Sequence, residues 1–204
     1  MRFSHTTFLA ILPLLLWSIA GSADFTTGQD AYNTGDYETA LAEWQPLADA
    51  GDADGQFGMG LLYGNGFGVA LDDAQALKWY ELAAGQGHAE AQCNIAIMYA
   101  NGWGVPQSDA EAFKWYSLAA EQGVTPAQIN IGRMYAGGFG VEQDKVQARK
   151  WLSIAIELGD DQANYNRDTL DQTMSDAEIA ESIQVTIEWM GQHQGMLANT
   201  DLQY

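Results

Sequence analysis

One thiol and two imidazoles are the scarce reactive groups of this chain once its first 23 residues are set aside: Cys93, His88 and His193. A thiolate cage needs several cysteines, and neither histidine stands in an HExxH arrangement that would place two imidazoles on one helical face. Cys93 has Phe57 and Ile129 at the same distance on either side, so its position calls for a small buried hydrophobe, not a nucleophile. His88 follows Gly87 at the start of a helix and is expected as a surface residue there. Met190, His193 and Met196 recur every three residues, a soft thioether and imidazole set that suits cuprous copper and equally suits a packed helix end. The stretch DAGDADGQ from Asp49 touches a calcium-loop pattern, but its twelfth place is Gly60 where a bidentate glutamate is required. The glycine pairs Gly66 and Gly68, Gly102 and Gly104, Gly138 and Gly140 precede helices, yet neither phosphate-loop spacing nor its lysine is present. The expectation is a protein that is not an enzyme and uses no cofactor.

What must position these side chains is a sentence written three times. YGNGFGVALDDAQALKWYELAAGQG from Tyr63 returns from Tyr99 and Tyr135 without a gap, and Trp79, Trp115 and Trp151 are spaced by 36. A fixed period of that size marks a solenoid, whose units bury their apolar faces only by stacking on one another. Each unit divides into two helices. In the second, Ala91, Ile95, Met98 and Tyr99 recur at helical spacing until Asn101, Gly102 and Gly104 interrupt them. The next helix opens at Ser108, with Glu111 in capping-box position and Ala112, Trp115, Tyr116 and Ala119 as its inward stripe. Gly66, Gly102 and Gly138 are expected in turns that need positive φ. Gly60, Ala96 and Gly132 sit mid-helix, where a missing side chain lets the paired helix approach. The spine is expected to hold Tyr63, Tyr99 and Tyr135 with Trp79, Trp115 and Trp151.

The ends depart from the pattern. Trp44 stands 35 residues before Trp79, a break in register, and Pro46 follows it. Residues 24–51 therefore form an atypical helical hairpin, with 25–34 as its shorter first helix. The regular repeats occupy 52–159. Residues 160–191 lose the glycine loop and close the array, with Ser175 and Glu178 capping a last helix whose stripe is Ile179, Ile183 and Ile187. Residues 192–204 form a tail.

Residues 1–23 read differently: Arg2, an apolar run from Phe8 to Ala20, then Gly21, Ser22 and Ala23. That order is a secretory signal peptide, too short in its apolar run for the roughly 20 residues that span a bilayer. Periplasm or secretion follows, with no stable membrane insertion after cleavage. All 27 acidic residues but only seven of the eight basic ones lie beyond it. So negative a surface repels nucleic acid and anionic lipid.

The run A-x-x-x-L/I-G/A-x-x-Y-x-x-G-x-G-V followed by D-x-x-x-A-x-K-W-Y-x-x-A-A-x-x-G resembles the Sel-one-like repeat family, relatives of the tetratricopeptide repeats. The resemblance implies an all-α fold, a right-handed superhelical solenoid of antiparallel helix pairs that serves as a scaffold or adaptor for other proteins. The third unit departs at Leu152 and Ile156. A cysteine-rich branch of the family carries a disulfide in each repeat and includes proteins described as beta-lactamases. This chain has one cysteine and neither the Ser-x-x-Lys nor the Lys-Thr-Gly pattern.

By the same resemblance, the first helices line a concave face and meet a protein or peptide partner of basic or neutral character. In register these positions are Gly58, Asn94 and Asn130, and Leu61, Ile97 and Arg133. The asparagine amides suit an extended backbone, or a bridge between hairpins, and Arg133 suits a carboxylate. Lys78, Lys114 and Lys150 are expected along the outer surface in salt bridges. A hydrolase of the bacterial envelope and a module acting through self-association are the alternatives. Mass spectrometry of the exported protein should find Asp24 at the N-terminus; an intact membrane-integrated form beginning at Met1 would overturn the signal-peptide reading.

Overall fold

The computed structural model describes residues 23–197, and the apolar run of residues 1–22 lies outside them. Eleven helices follow in order among the described residues: α1 (Phe25–Thr34), α2 (Tyr37–Asp49), α3 (Ala53–Asn65), α4 (Asp73–Gly85), α5 (Ala89–Asn101), α6 (Asp109–Glu121), α7 (Thr125–Gly137), α8 (Lys145–Glu157), α9 (Gln162–Asp171), α10 (Asp176–Gln192) and α11 (Gln194–Leu197). Helices α1 to α9 pack chiefly on their sequence neighbours and α10 packs on α8, an all-α solenoid of antiparallel pairs.

Local chemistry explains where each helix begins. Asp24, Asp36, Asp52, Asp72, Ser108 and Asp144 accept a backbone N–H of their own first turn, satisfying donors that have no partner within the helix. Ser175 and Glu178 form a reciprocal capping box. Ser108 does not: its oxygen accepts from the Glu111 N–H, but the Glu111 carboxylate turns to Lys114 at 3.5 Å. The first helices of the regular repeats end at Gly66, Gly102 and Gly138, with φ of 67, 72 and 72°. Two residues on, the backbone is pressed against the preceding unit. A Cβ on Gly140 would stand 2.3 Å from the Asp109 carbonyl oxygen, a contact only glycine avoids.

The deepest column of the core is Trp44, Tyr80, Tyr116 and Leu152, spaced by 36 and at most 5 % exposed. This corrects two expectations. Trp44 is not out of register; it occupies the place of Tyr80, one residue beyond that of Trp79. Of the three expected spine tryptophans, Trp79 and Trp115 are half-buried at the edge of the core, and only Trp151 is buried. Tyr63, Tyr99 and Tyr135 are half-buried as well. Ala40, Ala76, Ala112 and Ala148, one turn before the column, are fully buried and let the helices close on it.

A second ladder is polar. Gln56 and Gln92 are buried, and each side-chain oxygen accepts a 2.8 Å bond from a glutamine 30 residues later, Gln86 and Gln122. Gln128 continues the series, but position 158 is leucine. Its amide donates to the Ala120 carbonyl at 3.2 Å, while its oxygen is buried with no partner.

The closing helix also differs from expectation. Ser182, Thr186 and Trp189 face the core, whereas Ile183 and Ile187 are exposed. α10 lies on α8, which presents Arg149 and Trp151 at this contact. Arg149 pairs with Asp171 at 2.7 Å and donates to the Ser182 hydroxyl, so short polar side chains fit there and isoleucine does not. Trp189 meets Trp151 edge-on at 5.5 Å and donates its indole N–H to Glu121 at 2.7 Å. Truncating a fully buried aromatic costs about 3–5 kcal/mol. Urea denaturation should therefore show Tyr116→Ala losing that much, and Trp115→Ala distinctly less; equal losses would refute the assignment of the column.

Candidate functional site

The face formed by the first helices, the starts of the second helices and the glycine loops carries three hollows. One of about 190 Å³ is lined by Leu61, Asp73, Tyr80, Asn94, Ile97 and Trp103. The next, of about 440 Å³, is lined by Asn101, Asp109, Tyr116, Asn130, Arg133 and Phe139. The third, of about 570 Å³, includes Arg133, Lys145, Leu152, Tyr165, Asn166 and Thr169. These are one site repeated. Asp73, Asp109 and Lys145 are spaced by 36, as are Tyr80, Tyr116 and Leu152, Asn94, Asn130 and Asn166, and Ile97, Arg133 and Thr169.

Each hollow joins two units, because the floor residue comes from one second helix and the asparagine from the following first helix. Burial raises the Tyr80 phenol above its ordinary pKa, and the nearby Asn94 amide opposes that shift. Asn94 of α5 and Tyr80 of α4 thus line the first hollow together across the hairpin joint. The Asn130 amide instead donates to the Pro126 carbonyl of its own helix at 2.9 Å. Gly58, the corresponding residue one unit earlier, is buried against Trp44, where a Cβ would lie 2.4 Å from the indole. The large ring of Trp44 excludes any side chain that the smaller tyrosines admit.

Arg133 is exposed and makes no ion pair among the described residues. Leu61 and Ile97 are half-buried and line the first hollow. The loop aromatics are the contribution that sequence reasoning missed. Phe67 is stacked on Tyr37 at 4.2 Å, but Trp103 and Phe139 are 52 % and 56 % exposed beside Asp73 and Asp109. The outer lysines are not uniform. Lys114 reaches Glu111, and Lys150 lies 4.3 Å over the Trp151 ring, where burial lowers its pKa against the pull of Glu121.

The Sel1 repeat model matches residues 53–88, 89–124 and 125–160, more than half of the chain. The chain belongs to the Sel1 repeat family. A Sel1 repeat protein from Oxalobacter formigenes is 33 % identical over 71 % of this chain and 59 % of its own, with a TM-score of 0.67. A protective antigen present in uropathogenic Escherichia coli strains, displaying an SLR fold, is 24 % identical over 88 % of this chain and 48 % of its own, with a TM-score of 0.54; this likeness concerns the fold alone. The chain thus spans less than two thirds of either protein. No curated protein sequence matches it.

In this Sel1 repeat protein the reactive groups serve packing. His88 is no surface residue: its side chain is 10 % exposed, stacks on Phe57 at 4.5 Å and accepts the Ala91 N–H through Nδ1. It caps α5 as the aspartates cap other helices. His193 stacks on Trp189 at 3.9 Å, with Nε2 3.7 Å from Glu121. Met190 packs against the same core, and the side chain of Met196 lies outside the described residues. No group of three or more His, Cys, Asp or Glu among the described residues is arranged to hold a metal ion.

Cys93 is buried and free. Burial first, and the Glu90 carboxylate second, push its thiol up to about 11. At pH 8 the native protein should react with a thiol-specific disulfide reagent about 100-fold more slowly than the urea-unfolded chain, because the thiolate is the attacking species. Rapid labelling of the native protein would place this thiol at the surface.

Proposed function

We propose that this Sel1 repeat protein is an exported scaffold that holds an extended peptide segment of a partner protein along the face of α3, α5, α7 and α9. The observation that carries this reading is the set of three equivalent hollows one unit apart. A periodic surface suits a periodic ligand, and an extended chain advances about 3.3 Å per residue. Packed helices lie about 8–10 Å apart and successive hollows are one two-helix unit apart, so each hollow corresponds to at least about three residues of ligand. Export rests on the signal-like residues 1–23. Among the described residues, no helix is long and apolar enough to cross a membrane. The negative charge of the chain favours a partner that is not strongly acidic, and binding should weaken with salt.

The exposed Ile183 and Ile187 on α10 favour a second reading, self-association through the closing helix. An affinity pull-down from the native envelope, comparing wild type with Asn94→Ala/Asn130→Ala/Arg133→Ala, separates the two. The groove reading expects the triple variant, folded by circular dichroism, to lose its partner by roughly tenfold or more. Unchanged capture would refute the groove assignment, and a dimer by light scattering that Ile187→Glu dissociates would favour the second reading.

A further inference from the structure

The three hollows share a shape but not a charge. The first has Asp73 at its rim and no basic lining residue; Leu61 and Ile97 are apolar, Asn65 and Asn94 neutral. The second sets Asp109 against Arg133. In the third the rim aspartate has become Lys145, and Arg133 lines this hollow too, with no acidic residue in its lining. Asp73 and Asp109 occupy the first turn of their helices, where a carboxylate is favoured by the helix dipole; Lys145 occupies the same place against that preference. Lys145 is held by a 2.6 Å bond to the Thr173 carbonyl, and Glu178, whose carboxyl the Ser175 N–H and hydroxyl hold below its usual range, also feels the Lys145 charge. Glu178 thus takes part of that charge, whereas Arg133 has no such partner.

The aromatic rim sharpens the contrast. In the N-terminal unit the ring of Phe67 is covered by Tyr37, stacked at 4.2 Å with planes 12° apart. Asp73 and Asp109 replace Tyr37 in the next two units, so Trp103 and Phe139 are left open beside a carboxylate. An open aromatic face next to an anion is a receptor for a guanidinium or ammonium group. The third hollow also takes Phe139 and Tyr165 into its lining, but its charged residues are Arg133 and Lys145, which suit a carboxylate.

Resting on the peptide-groove reading, we propose that the preferred ligand is a bipolar peptide. A basic side chain is held between Trp103 and Asp73, and an acidic side chain at least about six residues away is held by Arg133 and Lys145. This runs against what the net charge alone would select. A chain of formal charge −19 should prefer the most basic peptide available if long-range attraction decided the matter. The graded groove instead penalises a basic residue at its C-terminal end.

The test uses the mature chain beginning at Asp24, panned against a displayed library of random decapeptides. The best binder and a counterpart with its acidic residue changed to lysine are then titrated by fluorescence anisotropy. On the wild-type protein the bipolar peptide should bind about fivefold tighter than its all-basic counterpart, despite the lower charge. Asp73→Asn should weaken the bipolar peptide by a similar factor. Arg133→Glu/Lys145→Glu should reverse the order so that the all-basic peptide wins. Arg133→Glu alone, at an exposed residue, gives the same direction if the double variant fails to fold. A wild-type protein that binds the all-basic peptide as tightly or more tightly, or a missing reversal, overturns the bipolar specificity while leaving peptide binding intact. Recovery of no peptide overturns the groove reading and the specificity together.

Discussion

Everything in this solenoid is arranged around a bulky side chain that must be given room on both sides. Trp44, Tyr80, Tyr116 and Leu152 each project from a second helix between two first helices. On one side stand Gly28, Gly60, Ala96 and Gly132, where even a Cβ on Gly60 would lie 2.4 Å from the Tyr80 ring. On the other stand Gly58, Asn94, Asn130 and Asn166. The widest ring, Trp44, requires glycine in both places, and both Gly28 and Gly58 press on its indole. Close packing at protein density leaves no alternative, because a void or a clash of one methylene is felt across the contact.

That constraint reaches the groove directly. The asparagine that flanks each ring is also a wall of the adjoining hollow, and the phenol of the ring is its floor. Binding surface and core are therefore two sides of one layer of residues. The surface keeps its geometry as long as the column is filled, and the charges at the rim can vary without disturbing the fold. Asp73, Asp109 and Lys145 illustrate this freedom on identical backbone positions.

The helix pairs and their joints were legible from periodicity, because apolar spacing and glycine stops are local signals. The depth of individual residues was not. Matching Trp44 with Trp79 by residue type put it out of register, whereas spacing alone pairs it with Tyr80. On α10 three isoleucines at helical spacing outweighed Ser182 and Thr186, yet the polar surroundings of Arg149 decided the buried face. The individual groove residues could be named, but the hollows could not, since each takes its walls from two units and a loop. Gln56, Gln92 and Gln128 are spaced by the repeat as plainly as the tyrosines, but an isolated glutamine reads as a surface residue until its partner 30 residues later is seen.

The interrupted glutamine ladder has a dynamic consequence. In each of the first two regular units a buried amide pair ties the two helices of the hairpin, and in the third the Gln128 oxygen is left without a donor, a defect that costs about 1–3 kcal/mol. At the start of the following helix, α9, Asp161 makes no cap, and the Asp160 carboxylate accepts the Gln162 N–H at 2.8 Å in its place. Coupling between neighbours is what makes a repeat array unfold as one body. Here the α7–α8 hairpin lacks the amide tie of the two before it, and the Arg149–Asp171 pair with the Trp189–Glu121 bond joins the closing helices to the array. Since α9 forms a wall of the third hollow, that hollow is complete only while α9 is seated on the α7–α8 hairpin.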